Sequence, residues 1–270
     1  TTDTSTEATT DTTDTTTEPD AAPADGGTIT VYTGRHYGIE PVFEQFTAET
    51  GIEVRFTTGN DPELRERLIA EGANTPADVV MTADAANIEL SADAGILASV
   101  DSAVLNEAIP EELRSENNDW FSLSQRARVI IASTERVENP PTTYAGVGDA
   151  EWKGKLCLRP STHPYTQSLV ASLIIAEGPE RATEIVQSWV DNDPLYINSD
   201  TDIYKAVADG ECDIAIANTY YLGRLLTEDP DFPVEIVWPE QDGRGAHVNV
   251  STAAITANAP NPEGGLALIE

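Results

Sequence analysis

Basic residues are scarce. Fifteen Lys and Arg stand against 47 Asp and Glu in 270 residues, a formal net charge of −32. So acidic a chain repels nucleic-acid phosphates and anionic lipid headgroups, which excludes nucleic acid as a partner. Lysine is confined to Lys153, Lys155 and Lys205, leaving arginine to supply most of the positive charge. Long apolar runs are also missing, since none approaches the ~20 residues needed to cross a bilayer. Cysteine occurs only at Cys157 and Cys212, with no CxxC pair, so structural zinc and dithiol redox catalysis have no support. There is no GxSxG elbow, Walker A loop or HExxH helix. Among so many carboxylates any chosen pair is usually solvated surface, which makes a carboxylate-dependent hydrolase the weakest reading; no enzyme is expected.

What is present is enough apolar residue for a core, at 40% hydrophobic. The first 27 residues, "TTDTSTEATTDTTDTTTEPDAAPADGG", stand apart: they contain only Thr, Ser, Asp, Glu, Pro, Ala and Gly. With almost nothing to bury, they are read as a disordered acidic tether leading to a membrane anchor.

From Thr28 onward the pattern is repeated βα order. A strand over Thr28–Thr33 precedes a helix presenting Ile39, Val42, Phe43 and Phe46, then a strand over Ile52–Thr57. Asp61-Pro62 opens a helix with Leu64, Leu68 and Ile69, and "ADVVMT" is a short buried strand. Asp84 is read as a helix N-cap. "RARVIIAS", Arg126 to Ser133, is a strand at mid-chain, after which the alternation resumes. Strand "KLCLR", helices from Tyr165 and Pro179, strand "LYIN", a helix over Asp200–Asp209, strand "CDIAIAN" and a helix with Leu222, Leu225 and Leu226 follow. The chain returns through "VEIVW" and "HVNVSTAAIT". This order predicts two α/β units, one interrupting the other: lobe 1 over 28–125, completed by about 240–270, and lobe 2 over 126–239 with the crossover strands. Ligands of such sheets lie beyond the carboxyl ends of the strands, here a cleft between lobes.

Four of the eight tyrosines fall at strand-to-helix turns facing that cleft: Tyr37, Tyr165, Tyr220 and Tyr221. Helix N-termini favour anionic oxygen. A phenol with a pKa of about 10 ionises near neutrality only beside strong positive charge, and a hard trivalent cation supplies it. Ferric iron is the best match. Three phenolates balance its charge and a fourth leaves an excess that Arg224, four residues after Tyr220, could offset. His36 is an optional nitrogen ligand, while His163 and His247 are weaker candidates. Tyr32, Tyr144, Tyr196 and Tyr204 are assigned to packing or surface. The rival within binding functions is a small-oxyanion receptor without metal, using Arg35, Ser161 and Thr162.

The segments "YTGRHYG", "TGIEV", "AEGANTPADVVMTADAANI", "RPSTHPYTQSLVASLI" and "CDIAIANTYYLGRLL" resemble the FutA-like ferric-iron-binding components of bacterial ABC importers, a branch of the type II periplasmic binding proteins. The resemblance runs from about Thr28 to the end. It implies a two-lobed α/β fold and Tyr37, Tyr165, Tyr220 and Tyr221 as iron ligands with His36 optional. It also implies Arg224 and one of Arg126 and Arg128 as nearby basic groups. By the same resemblance the chain is an extracytoplasmic monomer, periplasmic or lipid-anchored, that takes Fe3+ with a synergistic small anion or water and delivers it to a membrane permease. Relatives carry further helical sequence after "NPEGGLALIE", so Leu266, Leu268 and Ile269 are expected to lie exposed unless they find another surface. Cys157 and Cys212, on neighbouring strands of lobe 2, could form a disulfide outside the cytoplasm or remain buried thiols.

Overall fold

A computed structural model describes residues 27–34 and 38–270. In chain order the elements are β1 (Thr28–Thr33), α1 (Glu40–Thr50), β2 (Glu53–Thr58), α2 (Asp61–Glu71), β3 (Val79–Thr82), α3 (Ala85–Asp93), α4 (Ala103–Ala108) and β4 (Phe121–Ser133). Then follow β5 (Leu156–Leu158), α5 (Pro164–Glu177), α6 (Pro179–Asp191), β6 (Leu195–Tyr196), α7 (Asp200–Asp209), β7 (Ile214–Asn218), α8 (Thr219–Glu228), β8 (Val234–Val237), β9 (His247–Ile255) and α9 (Pro262–Ile269). The predicted acidic tether falls almost wholly outside the described residues.

The strands follow the order β2-β1-β3-β9-β4-β7-β5-β6, with β8 paired to β4. β1 runs parallel to both β2 and β3, and β5 runs parallel to β6 and β7, as expected of βα units. Among the described residues the sheet joins the two groups through β4 and β9, which pair antiparallel with each other from Phe121–Ala253 to Arg128–His247. Their register slips between Ser122 and Ser124, where a bulge turns the ribbon.

Each half of the sheet has its own packed interior. On one side Val31, Phe43, Val79, Phe121 and Ile255 form one cluster, and Tyr32, Leu64, Val80 and Ile88 another. On the other side Ile130, Leu156, Leu169, Trp189 and Ile216 pack on one sheet face, with Val129, Ile203, Val207 and Leu222 in a second cluster.

Two expectations need correction. β4 begins at Phe121, five residues before the predicted strand, because its first half pairs with β9 across the junction. Helix faces are narrower than read: Phe43, Leu64 and Leu68 are buried, whereas Val42, Ile69 and Leu226 stay exposed, since a helix lying on one sheet face buries only its central stripe. The apolar residues of the last helix do find another surface. α9 buries Ile269 and packs Leu266 and Leu268 against the cluster of Val31, Val79 and Ile255. Asp84 does cap α3, its carboxylate accepting from the N–H of Asn87 at 2.9 Å.

Candidate metal centre

Because β5 and β7 are parallel neighbours, the helices that follow them begin at the same edge of the sheet. Tyr165 is the second residue of α5 and Tyr220 the second of α8. Their side chains project from the two N-terminal turns toward each other, and their hydroxyl oxygens stand 3.4 Å apart. Tyr221 follows with its ring tilted 30° over that of Tyr220, centroids 4.1 Å apart. Three phenols from two turns therefore meet at one place. Burial is the main reason that the Tyr220 hydroxyl is pushed far above an ordinary phenol, and the adjacent Tyr165 and Tyr221 add to it. The Tyr220 phenol therefore keeps its proton unless strong positive charge arrives beside it.

A cavity of about 280 Å3 opens beside this pair, lined by Tyr165, Tyr220, Arg126, Ser124, Gln125 and Ser251 from the junction and lobe 2, and by Gly34 and Ala83 from lobe 1. Gly34 is there because nothing larger fits: a Cβ would fall 1.6 Å from Oδ1 of Asp61. Asp61 itself is buried and holds the N–H of Ala83 at 2.8 Å, fixing the end of β3. Burial raises its carboxyl to about 6.

Positive charge gathers around Tyr165. Arg126 and Arg128 are two apart on β4 and so point to one face of the strand. Their guanidinium carbons lie 5.1 and 5.6 Å from the centre of the Tyr165 ring. Both, not one, approach it. Arg159, just past β5, is third at 6.0 Å. Arg126 also donates to the carbonyl of Ala83, linking the junction to lobe 1. Arg128 is nearly sealed from solvent and pairs with the fully buried Asp200 at 2.6 Å. Nothing in the sequence pattern singles out Arg159 or Asp200 as part of the site. Arg224 is exposed on α8.

The other polar residues have structural posts. His163 caps α5, its Nδ1 accepting the N–H of Tyr165 at 3.2 Å. His247 meets the Ser168 hydroxyl at 2.8 Å through Nε2. Burial, reinforced by nearby arginines, pushes both imidazoles down to about 4. Tyr144 and Tyr204, fully buried as packing residues, donate to the carbonyls of Arg128 and Asn218 and so brace the backbone behind the phenols. Tyr32 is likewise buried, and Tyr196 lies half exposed. Ser161 and Thr162, the oxyanion alternative, sit exposed, and Ser161 faces a different groove. His36 and Tyr37, with Arg35, lie outside the described residues. Among the described residues no group of three or more His, Cys, Asp or Glu comes together. Cys157 and Cys212 are joined in a disulfide, with Cα atoms 5.9 Å apart.

Comparison with known proteins adds a lineage to this geometry. Residues 42–270 match the model of the family described as bacterial extracellular solute-binding protein. The chain belongs to that family. Its place is therefore extracytoplasmic. Iron uptake protein A1 of Synechocystis is 41% identical over 267 residues, covering 93% of this chain and 74% of that protein. Iron uptake protein A2 of the same organism is 37% identical, covering 93% and 75%. Among solved structures, Trichodesmium FutA in complex with iron and citrate superposes with a TM-score of 0.82 at 40% identity, over 90% of this chain and 80% of that one. The family's two-lobed type II architecture matches the two sheet halves joined by β4 and β9.

Proposed function

We propose that the protein captures ferric iron in the cleft and delivers it to an ABC permease, binding the ion as cargo without chemical turnover. The observation that carries this reading is the convergence of the Tyr165 and Tyr220 hydroxyls, 3.4 Å apart, from two separate helix N-termini beside a cavity. Tyr37, Tyr165, Tyr220 and Tyr221 would be the phenolate ligands, with His36 able to add a nitrogen. Hard phenolate oxygen suits a hard trivalent ion, and four phenolates would leave the complex at −1. Arg126, Arg128 and, on α8, Arg224 would offset that charge. Ser124, Gln125, Ser251 and Arg126 line the remaining space, which suits a small anion or water completing the shell. The similarity to iron uptake proteins and to an iron–citrate complex supports the same cargo.

The separate interiors support a lobe boundary near residues 125 and 126, with the chain re-entering lobe 1 along β9. The Thr- and acid-rich composition of residues 1–27 supports a spacer between a lipid anchor and the folded body. We expect a monomer.

The test is optical. Adding a soluble ferric chelate should give a visible phenolate-to-iron band that Tyr165→Phe or Tyr220→Phe shifts and weakens, with affinity falling at least about tenfold. Because binding displaces phenol protons, affinity should also fall as pH falls. A colourless protein that takes up a small oxyanion without metal would refute the assignment.

A further inference from the structure

Beneath the phenols lies a buried charge cluster that ligand geometry alone does not require. Asp200 opens α7 and is 1% exposed. Its Oδ2 accepts from Arg128 Nη1 at 2.6 Å and from the backbone N–H of Asn218 at 2.9 Å. Its Oδ1 faces Arg159 Nε at 3.6 Å. Asn218 is the N-cap of α8, the helix that carries Tyr220 and Tyr221, and its own Oδ1 also accepts from Arg128. One carboxylate thus ties two guanidiniums under the Tyr165 ring to the start of the second phenol-bearing helix.

The charges do not cancel. Arg128 and Arg159 share a single buried anion, while Arg126, a third cation near the same ring, also faces the charge of the Asp61 carboxylate. In a chain with only 15 basic residues, three around one side chain is a concentration that packing does not explain. Buried ions are normally paired one to one and fully hydrogen-bonded. Here Arg128 Nε, Arg159 Nε, Asp200 Oδ1 and Asn218 Nδ2 are all buried without a hydrogen-bond partner. Arg128 and Arg159 together thus leave a surplus of positive charge beside the Tyr165 ring.

We propose that Asp200 is a positioning residue that sets this surplus by holding Arg128 and Arg159 behind Tyr165, so that the balance of the cluster fixes how strongly the site prefers ferric over ferrous ion. This rests on the phenolate reading above. With the same phenolates, a ferrous complex carries one more negative charge than a ferric one. Extra positive charge behind the ring therefore favours the ferrous complex, and less favours the ferric one. Arg159 raises the surplus and Asp200 lowers it, so removing either must move the preference in opposite directions. A purely structural ion pair would instead weaken both ions alike.

The experiment measures dissociation constants for ferric chelate in air and ferrous ion under anaerobic reductant, in the full chain and in R159Q, R159K and D200N. One unit charge at roughly 10 Å through an effective dielectric of about 20 changes the ratio by about tenfold. R159Q should raise the ferric preference by about that factor, D200N should lower it by a similar factor, and R159K should return it close to the wild-type ratio. D200N leaves two buried guanidiniums without their anion and can fail to fold; the R159Q and R159K pair then decides alone. Ratios that move together, stay fixed, or shift equally in R159Q and R159K would overturn the proposal. If the wild-type protein shows no iron–phenolate band, the function reading falls first and this proposal with it.

Discussion

His247 stands where β9 leaves the junction, its Nε2 on the Ser168 hydroxyl and its backbone N–H donating to the Tyr144 hydroxyl at 2.9 Å. Burial and then the charges of Arg244, Arg128 and Arg126 hold its pKa near 4, below the usual 6.5. A folded-state pKa below the unfolded value means stability present above about pH 6.5 and lost as pH falls toward 4. His247→Gln can keep the hydrogen bond to Ser168 without the proton cost. Its unfolding free energy should therefore fall less between pH 6.5 and 4 than that of the wild type, by roughly 1–3 kcal/mol, read from denaturant titrations at each pH. The same scale shows what a sequence reveals about a site. Tyr165, Tyr220 and Tyr221 were legible because each follows an apolar strand at a helix start. Arg159 and Asp200 were not: an acid in the first turn of a helix reads as an ordinary dipole partner, and an arginine after a strand reads as surface. They meet because β5, which leads into Arg159, pairs parallel with β6, which leads into α7 and Asp200.

At the scale of elements, the strands and helices that carry one apolar stripe or one buried run were readable, including β3, β7, α5 and α7. The first half of β4 was not, since Ser122, Ser124 and Gln125 give it a polar face at the junction and the bulge breaks its alternation. The tie between β5 and the turn before β7 matters here, because those strands set the distance between α5 and α8. The disulfide spans 55 residues, and on the chain-entropy model closing that loop contributes about 4 kcal/mol. Reduction should lower the thermal midpoint by roughly 5–15 °C. If the helices stay in place, ferric binding by the reduced protein below its melting range should persist, a comparison that calorimetry and the visible band can make on one sample.

For the whole molecule, the dominant quantity is a net charge of −32. Self-repulsion of this size opposes a compact state and is screened by salt, so the melting temperature should rise between about 0.05 M and about 1 M sodium chloride. A flat profile would mean that the acids are spaced widely enough to ignore one another. The arrangement into two α/β units was legible from the βα order and its restart after mid-chain. The exact crossover was not, because nothing local in the sequence says that β9 will lie between β3 and β4.

The junction contains one side chain whose position reaches beyond packing. Asn249 accepts from the N–H of Ala85 at the start of α3 through Oδ1, at 3.2 Å, and donates through Nδ2 to Ser168 on α5, at 2.7 Å. Its amide thus touches both halves at once. Isotope-labelled, that single NH2 group would give a nuclear magnetic resonance signal sensitive to the contact between the two halves, a built-in reporter that needs no added probe.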